Sequence, residues 1–422
     1  MAGSKKVDFY GGKPSSLPRF VYRRLVAALN ANPEGREAAL AAATEELLSG
    51  ANPDLRKFKF TPPAFLQAAL RPQEAELFAA RTAQRREHAA RLKMVFPHVS
   101  DEFGLDPGFL LSVLDMDGGP SVAAPGRFFT IGSCFARNIA EFLIRNGRSA
   151  KTFALAEDLN SPISNAFIFD ILRRAPADRI ALLTSWVRRI FPELDEAACA
   201  QVAHQRLAGL NEVAASLREA DCVVLTLGNV VDFFRDDADA GLPLAEKIFP
   251  KFVAMPGDED IAVRSNAAAR LKKQGATLRL ASYGETQEAL CACIAGIRRE
   301  TAAPIVVTLS PVPVDSVIGL AGDLKTAIEV DCVSKARLRS AFDEAAAGLR
   351  ETYGPIHYFP SFEIVRWIGP MLPIPAFGYD DAASRHVSSP ILDAICQLFL
   401  DHFVAWAPGE AAELAAVREA AR

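Results

Sequence analysis

The chain lacks any apolar stretch long enough for a membrane. Each hydrophobic run is broken by charge or turn residues before the ~18 to 20 residues that a bilayer demands, although half of the residues are hydrophobic and the mean hydropathy is +0.11. Basic charge is not in excess either: 47 Lys and Arg stand against 51 Asp and Glu, a net charge of -4. That balance excludes nucleic-acid binding driven by a global positive field. No apolar segment follows the start Met1-Ala-Gly-Ser-Lys-Lys, where Asp8, Gly11, Gly12 and Lys13 stand instead. A secretory signal is therefore not visible, and a cytoplasmic location is the expectation. Cysteine is sparse, seven residues without a C-x-x-C pair, which argues against a disulfide framework and a zinc site. Cys291-Ala292-Cys293 falls on a helical stretch, where neighbouring thiols point to different faces, so no metal is expected. No P-loop or dinucleotide glycine fingerprint occurs at a strand-to-helix junction, which puts ATP-driven and hydride-transfer chemistry aside.

What is present divides in two. At roughly 150 residues per domain, 422 residues suffice for two or three domains. Residues 1–122 read as a helical region, with helical periodicity over Phe20–Leu29, Glu34–Leu48, Ala64–Leu70 and Gln73–Met94, separated by Asn32-Pro33, Asn52-Pro53 and Pro62-Pro63. Arg81, Arg85, Arg86, Arg91 and Lys93 cluster in its longest helix, as a solvated face or a surface for an acidic protein partner. The turn-rich stretch Asp115–Gly126 sets the boundary. Beyond it, over 123–408, short apolar runs (Phe128–Ile131, Cys222–Leu227, Ile305–Leu309, His357–Phe359) alternate with helical periods at Phe135–Asn146, Glu285–Arg299, Lys335–Arg350 and Pro390–Trp406. Strands separated by helices imply parallel pairing in a doubly wound α/β sheet. Residues 409–422 read as a helical tail.

The strongest local signal is Phe128-Phe129-Thr130-Ile131-Gly132-Ser133-Cys134-Phe135-Ala136, a strand that ends on glycine and passes at once into an amphipathic helix. Ser133 and Cys134 are both placed there as nucleophiles. A helix N-terminus offers unpaired N–H donors and the positive end of the macrodipole, which lower a thiol pKa and hold an oxyanion. The alternative is structural: Ser133 as an N-cap and Cys134 as a small buried filler.

Gly132-Ser133-Cys134-Phe135-Ala136 resembles the signature of the GSCFA family, bacterial proteins grouped with the SGNH (GDSL-like) hydrolases. Leu225-Thr226-Leu227-Gly228-Asn229, Thr308-Leu309-Ser310-Pro311-Val312-Pro313, Ser334-Lys335-Ala336-Arg337-Leu338, Tyr358-Phe359-Pro360-Ser361-Phe362-Glu363 and Asp381 through His386 resemble its later blocks, in order. The resemblance covers roughly residues 125 to 405. It implies a flavodoxin-like three-layer α/β/α domain with its active site at the carboxyl ends of the strands. It also implies a nucleophile two places after the strand-ending glycine, which is Cys134, whereas a one-residue shift at the turn selects Ser133. By the same resemblance Asn229, after Gly228, donates to the oxyanion, with Asn160 or Asn165 as the other donor and Ser310 lining the pocket.

A histidine suits the general base because its near-neutral pKa lets it take and return a proton. Of six histidines, His88 and His98 precede the α/β region, His204 and His402 lie on helical stretches, and His357 begins an apolar run. His386, in the polar loop Asp380–His386, is the one selected, with Asp381 as its orienting carboxylate. The superfamily spaces this pair as Asp-x-x-His, whereas Asp381 and His386 stand five positions apart, so Asp380 or a backbone carbonyl also qualifies. Lys335 reads as a solvated side chain at a helix start.

Together these readings point to acyl-ester chemistry, an esterase or O-acyltransferase acting through a thioester or ester intermediate. By resemblance the substrate is a glycan or other saccharide or small molecule. No resident cofactor is expected, and acyl-CoA is a possible acyl donor. The competing reading is a non-catalytic binding or scaffold protein whose N-terminal helices dock a partner.

Overall fold

A computed structural model describes residues 110–405, apart from 255–267, 381–384 and a few short gaps, and before them the strands Lys5–Val7 and Phe58–Phe60, which pair in parallel. The helices expected between residues 20 and 94, the basic cluster, Asp381 and the tail 409–422 lie outside the described residues. Contacts divide the chain into two compact units, one made of 1–115 and 364–394, the other of 116–363 and 395–422.

The second unit is built on a sheet. Its longer elements in chain order are β1 (Arg127–Gly132), α1 (Cys134–Arg145), β2 (Ser149–Ala154), α2 (Pro162–Arg173), α3 (Pro176–Ile190), α4 (Glu196–Glu219), β3 (Cys222–Leu227), β4 (Val231–Arg235), β5 (Ala276–Leu280), α5 (Tyr283–Glu300), β6 (Ile305–Leu309), α6 (Ala327–Tyr353) and β7 (Ile356–Phe359). The division between units falls within the next helix, α7 (Ser389–Phe403). Five strands pair in parallel in the order β7-β6-β3-β1-β2, and β4 pairs with β5 antiparallel as a separate ribbon. Counting the sheet strands along the chain, this is the flavodoxin-like order 2-1-3-4-5.

Side-chain alternation explains why the strands read as unbroken apolar runs. Phe129, Ile131, Val223, Leu225, Leu227, Ile305, Val307, Leu309, Ile356 and Tyr358 belong to one buried core shared with α2, α3, α4, α5 and α6. The intervening residues face the other way, where the Phe128 and Phe359 rings meet Phe399 of α7 at centroid distances of 6.1 and 5.4 Å. Both faces are covered, so the second phase of the period-two pattern is buried as well, its threonines Thr130, Thr226 and Thr308 included. The result is a three-layer α/β/α domain.

Two features add to the sequence expectations. The edge strand β2, Ser-Ala-Lys-Thr-Phe-Ala, carries polar residues and a lysine, as edge strands do, and so has no apolar run to reveal it. The segment Asn160–Asn165, whose Asn-Ser-Pro is ordinary turn chemistry, leads into α2, and Asn165 lies in its first turn. Ser161 is its N-cap, accepting from the Ser164 N–H at 3.0 Å, with Pro162 in the first turn.

Helix α5 opens with a capping box in which Ser282 accepts from Glu285 N at 3.2 Å and Glu285 Oε2 accepts from Ser282 N at 2.7 Å. Arg279 grips the same carboxylate with both Nη atoms, at 2.9 and 2.7 Å. The Arg279 hydrogen bonds hold the Glu285 carboxyl at about 2, below its ordinary 4.5. Because the folded value is depressed, this stabilisation is complete above the unfolded value and is lost as the pH falls from about 4.5 towards about 2. Glu285→Gln is expected to lower stability at neutral pH and to flatten the stability loss across that window, as urea midpoints measured against pH will show.

Candidate active site at the carboxyl edge of the sheet

In this strand order the chain leaves β1 towards β2 and returns on the other side of β1 as β3. The connections diverge there, and open α/β sheets bind their ligands in the crevice so formed at the carboxyl ends of the strands. The segment after β2 is fastened across it. Leu155 N donates to Gly132 O at 2.6 Å, while Asn160 O accepts from Gly228 N at 3.0 Å and from Asn229 N at 3.1 Å. Asn160 Nδ2 donates to Thr226 O at 2.7 Å. Gly132 has φ +145°, and a Cβ on it would stand 2.7 Å from Thr226 O, so the glycine that ends the strand has no substitute.

Ser133 follows with an extended backbone at the N-cap of α1, yet its hydroxyl makes no capping bond. It is fully buried and lies 3.5 Å from Ser310 Oγ, at the end of β6. Ser310 Oγ donates to Glu157 Oε2 at 3.1 Å, and Lys335 Nζ stands 3.3 Å from Glu157 Oε1. Lys335 also donates to the Gly228 carbonyl and lies 3.9 Å from Asp331 Oδ1, one turn earlier on α6. The side chains of Lys335 and Glu157 are each 3% exposed. Lys335 is thus neither solvated nor at a helix start, which corrects the sequence reading: Ala327 begins α6, capped by Thr326 and Glu329, and the lysine enters the interior two turns later.

The carboxamide of Asn229 is engaged at both ends, its Nδ2 donating to Glu157 O at 2.5 Å and its Oδ1 accepting from Val231 N at 2.8 Å. The second bond is an Asx turn, which shapes the chain between β3 and β4. Asn165 Nδ2 donates to Asn160 Oδ1 and Ser161 O at 3.2 and 3.0 Å. Beside it a second buried pair, Lys251 and Asp232 at 3.4 Å, takes in the hydroxyls of Ser161 and Ser164. The structure therefore brings Ser133, Ser310, Gly228, Asn229, Asn160 and Asn165 into one buried polar network.

Cys134 is the first residue of α1 and keeps part of its surface exposed. None of the seven cysteines is in a disulfide. Burial pushes the Cys222 thiol up to about 12 and raises those of Cys293 and Cys291, while Cys332 is exposed. Among the described residues no group of three or more His, Cys, Asp or Glu side chains is placed to hold a metal ion, and no helix is long and apolar enough to cross a membrane.

His386 belongs to the other unit. There its exposed side chain rises from a loop pinned by the Phe377–Val387 bridge, and its carbonyl accepts from Gly378 N at 2.8 Å. Asp380, an alternative orienting group, accepts from Ser389 N and Oγ at 2.9 and 2.6 Å, the position of a cap on α7.

The GSCFA family profile matches residues 127–399, well over half of the chain. The chain belongs to the GSCFA family. Searches of curated proteins and of solved structures return no match. The matched stretch of this GSCFA chain contains every residue of the buried network.

Glu157 is the member that sequence reasoning missed, because a lone glutamate in a connecting segment carries no pattern; the buried Lys335 that faces it is 178 residues away. Removing one partner of a buried pair strands the other charge, at a cost of ~3–5 kcal/mol. Lys335→Met is expected to lower the unfolding free energy by about that amount, and Glu157→Gln combined with Lys335→Met by less than Lys335→Met alone. Urea denaturation of Lys335→Met, Glu157→Gln and the double variant measures the difference, and strictly additive losses would refute the pairing.

Proposed function

We propose that this GSCFA chain carries out acyl-ester chemistry, as an esterase or O-acyltransferase, with Cys134 as its nucleophile. The observation that carries the reading is the contrast at the β1–α1 junction: Ser133 is fully buried and bound towards Ser310, while Cys134 is partly exposed at the head of a 12-residue helix beside the strand-order switch. Helix N-termini favour thiolates. The Cys134 thiolate attacks the acyl carbonyl, the ester C–O bond breaks, and the leaving alkoxide takes a proton. Water or an acceptor hydroxyl then attacks the thioester and releases the thiol.

In this reading the base that takes the thiol proton and returns it to the leaving group is the one implied by the family resemblance, His386. Asn229 supports the developing oxyanion through the remaining N–H of its carboxamide. Placement among the SGNH-like hydrolases, with a saccharide or small-molecule ester as substrate and acyl-CoA as a possible donor, is part of the same proposal.

Mass spectrometry after incubation with p-nitrophenyl acetate or acetyl-CoA tests it. One acyl adduct is expected on the peptide containing Cys134, lost in Cys134→Ala and retained in Ser133→Ala, with His386→Ala slowing its formation by ~100-fold or more. Iodoacetamide at neutral pH is expected to modify Cys134 faster than the exposed Cys332, and to leave Cys222 and Cys293 untouched. An adduct that survives Cys134→Ala but not Ser133→Ala would transfer the role to Ser133. No adduct with either donor, together with an unreactive Cys134, would favour the non-catalytic binding protein.

A further inference from the structure

The Glu157–Lys335 pair lies deeper than the chemistry just described and is used by none of its steps. Burying two opposite charges at 3% side-chain exposure costs hydration that their contact and further hydrogen bonds must offset, and here those bonds go to residues at the ends of β3 and β6. Glu157 Oε2 accepts from Ser310 Oγ, and Ser310 Oγ meets Ser133 Oγ, in the residue before Cys134. Lys335 Nζ donates to the carbonyl of Gly228, the residue before Asn229, and Asn229 Nδ2 donates to the backbone oxygen of Glu157 itself. The backbone is fitted to this carboxylate: a Cβ on Gly228 would stand 2.7 Å from Glu157 Oε1. The pair thus connects, through two hydrogen bonds on one side and one on the other, to the two segments that carry the proposed nucleophile and the proposed oxyanion donor.

We propose that Glu157 and Lys335 are positioning residues that set the reactivity of Cys134, by seating Ser310 against Ser133 and by balancing each other's charge beside the head of α1. This rests on the assignment of the site to the β1–α1 junction. Interior charges act over several ångströms because little water screens them. Asp331 lies 3.9 Å from Lys335 Nζ, Arg137 stands in the first turn of α1, and the Lys251–Asp232 pair adjoins the network at Ser161; none of them changes in the variants that follow.

The test measures iodoacetamide modification of Cys134 by peptide mapping at neutral pH, with Cys332 as an internal reference. Glu157→Gln removes the nearer of the two carboxylates beside the Lys335 ammonium, Asp331 remaining at 3.9 Å, and is expected to speed modification of Cys134 by about threefold or more; Lys335→Met removes the cation from beside both carboxylates and slows it by a similar factor. The double variant falls between them. A pair that serves the fold alone would move both single variants in the same direction, or leave Cys134 unchanged in folded protein, and either result overturns the proposal. Should a single variant not fold, Ser310→Ala, which strands no charge, decides: a change of about threefold or more in the Cys134 rate with Cys332 constant supports the coupling, and an unchanged rate refutes it. These rates require no turnover. Opposite shifts without any acyl adduct would refute the esterase reading and keep the coupling, while an adduct with unshifted rates would do the reverse.

Discussion

Lys335 and Glu157 bring opposite charges into an interior where each alone would cost several kcal/mol of lost hydration. Their mutual attraction offsets this only because the remaining hydrogen-bonding capacity is met nearby: the carboxylate accepts from Ser310, and the ammonium donates to the Gly228 carbonyl. Those partners come from the ends of β6 and β3, the lysine from α6, and the glutamate from the segment after β2. Four separate parts of the chain therefore depend on one neutralised pair. The carboxyl edge of the sheet is consequently a polar, internally bonded floor, in contrast to the apolar layers on both faces.

That floor lies where the strand order reverses. Connections leaving β1 and β3 in opposite directions cannot both cover the strand ends, and the gap is closed by a stretch of chain instead of a helix. Asn160 accepts from two successive backbone N–H groups and donates to Thr226 O, which satisfies the end of β3, while Leu155 N donates to Gly132 O at the end of β1. Geometry at the junction then separates two chemically similar neighbours. Ser133, with its extended backbone, turns its hydroxyl inward, and Cys134, one residue later in helical conformation, keeps a partly exposed surface.

Several residues singled out by type acquired a different meaning from their surroundings. Asn229 is an oxyanion donor by resemblance and also the hinge of an Asx turn. Asn165, a candidate oxyanion donor by resemblance, lies in the first turn of α2. Lys335, read as a surface cation, is buried, its side chain only 3% exposed. In each case the side chain's chemistry was legible, but its burial and partners were not. Burial depends on which distant segments pack over a position, and neither local periodicity nor residue type reports that.

The central strands were legible because both faces of a covered parallel sheet demand apolar residues, so Cys222–Leu227 and Ile305–Leu309 appear as continuous runs whose ends coincide with the observed strands. The strand-glycine-helix junction at Gly132 was equally local, since a backbone at φ +145° beside a close carbonyl admits only glycine, and the next residues must begin the helix. The family followed from those short blocks. The edge strand β2, polar by necessity, left no such trace, and nor did the ribbon of β4 and β5. Only the tertiary structure decided that Glu157 meets Lys335 and that Ser133 points towards Ser310, because these contacts join residues far apart in the chain, and their energies come from a low-dielectric interior that exists only after folding.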